Sequence, residues 1–178
     1  MMTVRIATPA DLPALVNLLK RVIPLMNQAG NFQWDNHYPN ETVFSLDIAK
    51  GQLWVAEIDN QLAGVAALTE DQEPEYAQVG FDLNERAIVT HRLAVDPAFQ
   101  GQGVALALLA QAEQLALERS IRFLRIDTNS ENQITQKLFP KAGYRYAGEI
   151  TLGFRPGLRF LAYEKQLQPD TVLLQKRE

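Results

Sequence analysis

Residues 87–127 constrain the chain most. "AIVTHRLAV" is an apolar, β-branched strand pattern, "VALALLAQAEQLALE" repeats on a helical period, and "IRFLRID" is again a strand pattern. Strand, helix and strand in about forty residues make a βαβ crossover, which sets two parallel strands in one sheet with a helix over its face. The entry into the helix is unusual. Asp96-Pro97 leads to Gln100, Gly101, Gln102 and Gly103, with Val104 and Ala105 opening the helix. The first turn of a helix carries amides without intrahelical partners, and the macrodipole favours an anion there. Two residues without Cβ atoms and a small Ala105 leave room for a diphosphate to reach those amides. The competing reading is a plain turn before an amphipathic helix.

The flanking segments extend the sheet. Residues 3–7 alternate as a strand, and Thr8, Pro9 and Asp11 mark a helix start that continues through Leu12, Leu15, Val16, Leu19 and Val22. Pro24 is expected to interrupt or kink that helix. A second helix is expected from Glu41 to about Lys50, stopped by Gly51. "QLWVAEI" and "QLAGVAALT" form a hairpin about Asp59-Asn60, residues that tolerate the positive φ of a tight turn. Residues 70–86 are acidic and poorly periodic. After residue 127 come a further helix and the strands "YRYAGEI" and "LRFLAYEK". The fold class is therefore α/β (α+β), a mixed sheet of six to seven strands with helices on both faces. One domain is expected over residues 1–168, with a tail at 169–178.

Composition narrows the chemistry. The chain of 178 residues carries a net charge of −4, which disfavours a nucleic-acid partner. It has no cysteine, which removes disulfides, thiol nucleophiles and thiolate metal sites. His37 and His91 are its two histidines, without metal-ligand spacing, so no metal is expected. No apolar run has the length of a signal peptide or a membrane span, so a cytoplasmic protein with no membrane partner is expected. The dinucleotide fingerprint fails because Leu106 stands where a third small residue belongs, and the P-loop fails for want of Gly-Lys-Ser/Thr.

Gln100, Gly103 and Ala105, preceded by "LAVDPAFQG", form a Q-x-x-G-x-A pattern that resembles motif A of the GNAT superfamily of acetyl-CoA-dependent N-acyltransferases. "RIATPAD" looks like that family's first strand and helix start, and "GQLWVAEIDNQLAGVAAL" like its second and third strands. "DTNSENQITQKLFPKAGYRYAGEI" looks like its motif B, usually an Asn, a Leu-Tyr pair and Lys-x-Gly-Phe.

The resemblance implies a mostly antiparallel twisted sheet with a bulge in strand four and a V-shaped splay from strand five. It implies acetyl-CoA as co-substrate, its pantetheine arm paired with the backbone of Leu93, Ala94 and Val95. The pyrophosphate falls on the amides of Gln100, Gly101, Gln102, Gly103, Val104 and Ala105. Asn132 is implied as a hydrogen-bonding partner of the coenzyme arm; capping of its own helix is the other reading, although Ser130 with Gln133 offers a capping box.

The resemblance sets Phe139 at the coenzyme, where the family commonly has a tyrosine that protonates the departing thiolate, and Pro140 follows it. His91, just upstream of the thioester position, is a candidate base or a structural histidine. Glu70 is a second candidate base or an amine anchor. Trp34 and Tyr38 either line the acceptor pocket or pack in the core. The implied function is transfer of an acetyl group to a primary amine of a small molecule or peptide, by direct attack in a ternary complex. The alternative is an acyl-CoA-binding regulatory module. A homodimer is compatible with the family.

Overall fold

Seven strands form one sheet in the order β1-β2-β3-β4-β5-β7-β6. The structure, a computed structural model, describes residues 1–168, and the expected tail at 169–178 lies outside them. Within the described chain, contacts divide the protein into two compact units. One holds residues 1–68 and 91–109, the other residues 69–90 and those from 110 onward.

In the first unit, β1 (Met2–Ile6) pairs antiparallel with β2 (Leu53–Ile58), and β2 with β3 (Gln61–Thr69). The hairpin turn is the expected one: Asp59 and Asn60 have φ of 49° and 64°, the left-handed pair that matches strand twist. Helix α1 (Leu12–Gln28) buries Leu15, Leu18, Leu19, Val22 and Ile23. These side chains share a core with Trp34, Phe44 of α2 (Glu41–Ala49), and Val55 and Val65 of the hairpin. Each such side chain contributes about 1.5–3 kcal/mol on burial.

Pro24 does not interrupt α1, which runs on to Gln28. The hydrogen bond it removes would have reached the carbonyl of Lys20, and both residues are exposed, so water can serve that carbonyl.

In the second unit, β5 (Phe123–Asn129) pairs antiparallel with β7 (Phe160–Gln166), and β7 with β6 (Arg145–Ile150). A second core gathers Tyr76, Ala87, Val89, Ile150, Leu152, Phe160 and Ala162. The acidic segment that shows no periodicity in sequence holds a 3-10 helix, Pro74–Val79, which drives Tyr76 wholly into this core. Arg125 is buried beside it. Its guanidinium meets Glu164 at 2.8 Å, the Asp82 carbonyl at 3.0 Å and Gln72, and lies 4.7 Å from the Phe81 ring centre. A buried cation is tolerable only when so fully satisfied.

The strand β4 (Ala87–Val95) and the helix α3 (Val104–Glu118) contribute residues to both units. β4 runs parallel to β5, as the crossover requires, but the ladder covers only Ala87–Thr90 against Phe123–Ile126. His91–Val95 and Asp127–Asn129 fall outside that ladder.

Close packing also reaches β3. A Cβ placed on Gly64 would lie 2.6 Å from Val104 Cγ1 and 3.0 Å from the Ala94 carbonyl oxygen. Gly64→Ala is therefore expected to destabilise the protein by about 1–3 kcal/mol, as overpacking of a filled site does. Urea unfolding read by circular dichroism measures it.

Candidate active site

The end of β4 is shaped by one residue. Arg92 sits at φ 52°, a left-handed backbone for a residue with a Cβ, and so makes the irregularity expected in strand four. Its side chain is tied down. Nε and Nη2 donate to the two carboxylate oxygens of Asp47 on α2, both at 2.7 Å, and Nη1 donates to the Tyr38 hydroxyl at 3.2 Å. Asp47 is buried and also accepts from Gln52 at 2.8 Å. Neither Arg92 nor Asp47 stands out in the sequence, because their pairing spans 45 residues. Ala94 packs into the first core, whereas His91, Leu93 and Val95 are half-buried.

The loop after β4 is anchored the same way. Asp96, buried, accepts from Ala98 N at 2.9 Å and so caps the 3-10 turn Pro97–Phe99. Its other oxygen accepts from Arg21 Nε of α1 at 2.9 Å, and its own amide donates to the Ala63 carbonyl at 2.8 Å. Gln100, Gly101, Gln102 and Gly103 are all exposed. Gly101 and Gly103 have φ of 77° and 81°, and nothing lies within 4 Å of where their Cβ atoms would be. Val104 plugs the core at the first helical position, and Ala105 is half-buried. The result is a helix start preceded by an open glycine loop, held by buried contacts on both sides.

Of the proposed acceptor walls, Trp34 is 4% exposed and belongs to the first core. Asn27 Nδ2 donates to its carbonyl at 3.0 Å. Tyr38 is half-buried against the same core, with the Arg92 contact on its hydroxyl. A cavity of about 330 Å³ lies beside α1, lined by Leu19, Lys20, Ile23, Asp35, Pro39 and Glu41 among others.

In the second unit, Glu70 pairs with Arg86 at 3.0 Å and Arg119 at 3.1 Å. The hydrogen bond from Arg86 is the main cause holding its carboxyl below the usual range, which makes it a weaker base. Asn132 is itself the N-cap of α4 (Gln133–Lys141), its side chain accepting from Thr135 N at 3.2 Å. The capping box at Ser130 does not form: the Ser130 carbonyl instead accepts from Gln136 Nε2 at 2.7 Å. Phe139 is buried, its ring centre 5.2 Å from that of Tyr163 and 6.1 Å from that of Tyr144. Pro140 falls in the last turn of α4 and ends nothing early, since the helix runs to Lys141. Among the described residues, no group of three or more His, Asp or Glu side chains is placed to hold a metal ion. No helix among them is long and apolar enough to cross a membrane.

Asp127, just past the last β4–β5 rung, accepts from the Tyr76 hydroxyl at 2.7 Å. Burial pushes its carboxyl up to about 6; the Tyr76 hydrogen bond opposes this, and Glu73 and Glu75 add to it.

The sequence pattern of the Acetyltransferase (GNAT) family matches residues 19–144. The chain is 26% identical over 147 residues to the N-acetyltransferase YesJ of Bacillus subtilis (strain 168), itself uncharacterized, covering 81% of this chain and 82% of that one. It is 28% identical over 101 residues to N-acetyltransferase 8F1 of Rattus norvegicus, covering 57% of this chain and 42% of that protein, so it spans less than half of that longer relative. Among solved structures, an acetyltransferase of the GNAT family from Streptococcus agalactiae 2603 superposes with a TM-score of 0.80 at 29% identity. That match covers 94% of this chain and 96% of the other.

The Asp127 carboxyl generates a pH prediction. Below the ordinary value of 3.8 it is protonated whether the chain is folded or not. As pH rises from there through about 6, the unfolded chain ionises first and stability is lost. Asp127→Asn removes that loss, so the variant is expected to be more stable than the parent at neutral pH by about 1–3 kcal/mol. The gain closes as pH falls toward 3.8. Thermal melts across this range check it.

Proposed function

Because the chain belongs to the GNAT acetyltransferase family, we propose that it transfers an acetyl group from acetyl-CoA to a primary amine by direct attack in a ternary complex. The observation that carries this reading is the exposed glycine loop at the start of α3, with clear space above Gly101 and Gly103. Gln100–Ala105 has no basic side chain, so its affinity for a pyrophosphate rests on backbone amides and the helix dipole.

The pantetheine arm pairs with the backbone of Leu93, Ala94 and Val95, as a strand added to an unpaired edge. Amides of that backbone polarise the thioester carbonyl, where negative charge develops during attack. Asn132 spends its side-chain oxygen on the cap and keeps its amide hydrogens for the coenzyme arm. His91 is the candidate base that would take the ammonium proton before attack. Glu70, held as an anion by two arginines, is better suited to fixing its own loop than to taking a proton. Tyr38, through Arg92, connects the segment before α2 to the bend of β4 and borders the acceptor.

Two outcomes are expected. Gly103→Val places a branched side chain at a left-handed backbone and over the amides, and is expected to weaken coenzyme A binding about tenfold or more in calorimetry. Absence of coenzyme A binding by the parent protein at millimolar ligand would overturn the reading. His91→Ala is expected to lower kcat about 100-fold or more, with a small change in KM for acetyl-CoA. Thiol release against a panel of amines measures it. Unchanged kcat/KM across pH would return His91 to a structural role.

A further inference from the structure

The cavity beside α1 has no part in the transfer described above. Its volume, about 330 Å³, falls at the small end of the range for ligand sites, about 300–1,000 Å³. One wall is a single side of α1, where Val16, Leu19, Lys20, Ile23 and Pro24 recur at helical spacing. The other wall is the turn before α2 and the start of that helix, from Asp35 to Glu41. Apolar and polar parts are separated by depth. Leu19, Ile23 and Pro39 are buried, whereas Lys20 and Glu41 are exposed. The floor is apolar, and the rim carries one cation and one anion.

The fold does not use up the rim charges. Among the described residues, neither Lys20 nor Glu41 has an ion-pair partner, although both line the same opening. Glu41 opens α2, where the helix dipole favours a carboxylate. Pro24 has no N–H to offer the Lys20 carbonyl, which leaves a further acceptor at the cavity wall. The rim thus offers a cation to a carboxylate, and two acceptors to an ammonium. A ligand that matches carries both charges at one end and an apolar body at the other. We propose that this cavity is an effector site for an α-amino acid with an apolar side chain. The side chain enters over Leu19, Ile23 and Pro39, the carboxylate meets Lys20, and the ammonium meets Glu41 and the Lys20 carbonyl.

The site is linked to β4 through one turn. Asp35 lines the cavity, and its Oδ1 accepts from the amides of His37 at 2.7 Å and Tyr38 at 2.9 Å. The Tyr38 hydroxyl in turn accepts from Arg92, at the irregularity of β4. A ligand seated against Asp35 and Pro39 restrains that turn and, through Tyr38, the strand end to which the pantetheine arm is assigned. By linkage, each ligand then tightens the other by the same factor.

Calorimetry with L-leucine tests the site. The parent protein is expected to bind it with a Kd of about 1 mM or tighter. Leucinamide lacks the carboxylate, isocaproate lacks the ammonium and glycine lacks the apolar body; each is expected to bind about threefold or more weakly. Lys20→Gln is expected to weaken leucine about threefold and to stop distinguishing it from leucinamide. Glu41→Gln is expected to do the same with respect to isocaproate. Both side chains are exposed, so both variants are expected to keep the parent circular dichroism spectrum. Saturating leucine is expected to tighten coenzyme A binding about threefold. Absence of leucine binding, or binding that both variants leave unchanged, would overturn the site. Leucine bound without a change in coenzyme A affinity would overturn the effector role, as would loss of the leucine amine on addition of acetyl-CoA. A protein that binds leucine and no coenzyme A would instead overturn the acetyl-transfer reading, on which the coupling rests and the site does not.

Discussion

The structure depends on a strand that pairs with its parallel neighbour over only part of its length. β4 follows β5 through Thr90 and then bends at Arg92, where a left-handed backbone costs about 1–3 kcal/mol for a residue with a side chain. The bend persists because Arg92 is held by both oxygens of a buried carboxylate. That pair is a fixture more than a source of stability. Its two charges lose hydration and regain it only through close geometry, so breaking one partner is worse than never having had the pair. Because Asp47 absorbs the charge of Arg92, the bend positions backbone without adding a positive field.

The loop beyond is held by a second buried carboxylate. Asp96 ties the strand end to α1 and to β3, and leaves Gln100–Gly103 as a short exposed arch between the two fixed points Asp96 and Val104. This explains how four exposed residues, two of them glycine, can hold a defined shape. Their left-handed torsions are the ones their neighbours impose, and glycine meets them without strain. The loop itself is exposed, and buried side chains on either side of it set its shape.

Much of this was legible in the sequence. The hairpin at Asp59-Asn60, the βαβ unit and the glycine loop each follow from local chemistry, since turn torsions and helix starts are set by a few adjacent residues. Other features were read less well for a common reason. Pro24 leaves α1 intact because its missing hydrogen bond falls on the solvent side, which periodicity alone does not reveal. Asn132 caps its helix in place of Ser130, whose carbonyl accepts from Gln136. Trp34 sits in an irregular stretch and still enters the core, because burial follows where an aromatic ring lands, not the regularity of its segment. The 3-10 helix around Tyr76 has no period to detect and is fixed by packing.

By itself, the sequence determined the class of fold, the order of its elements and the place of a glycine loop at a helix start. Those rest on hydrophobic period and turn chemistry, which act within a few residues. Only the tertiary structure decided that Arg92 pairs with Asp47 at the irregularity of β4 and that Asp96 locks the loop to α1. Each of these joins residues far apart in the chain, and their energies exist only once folding has removed water from around both partners.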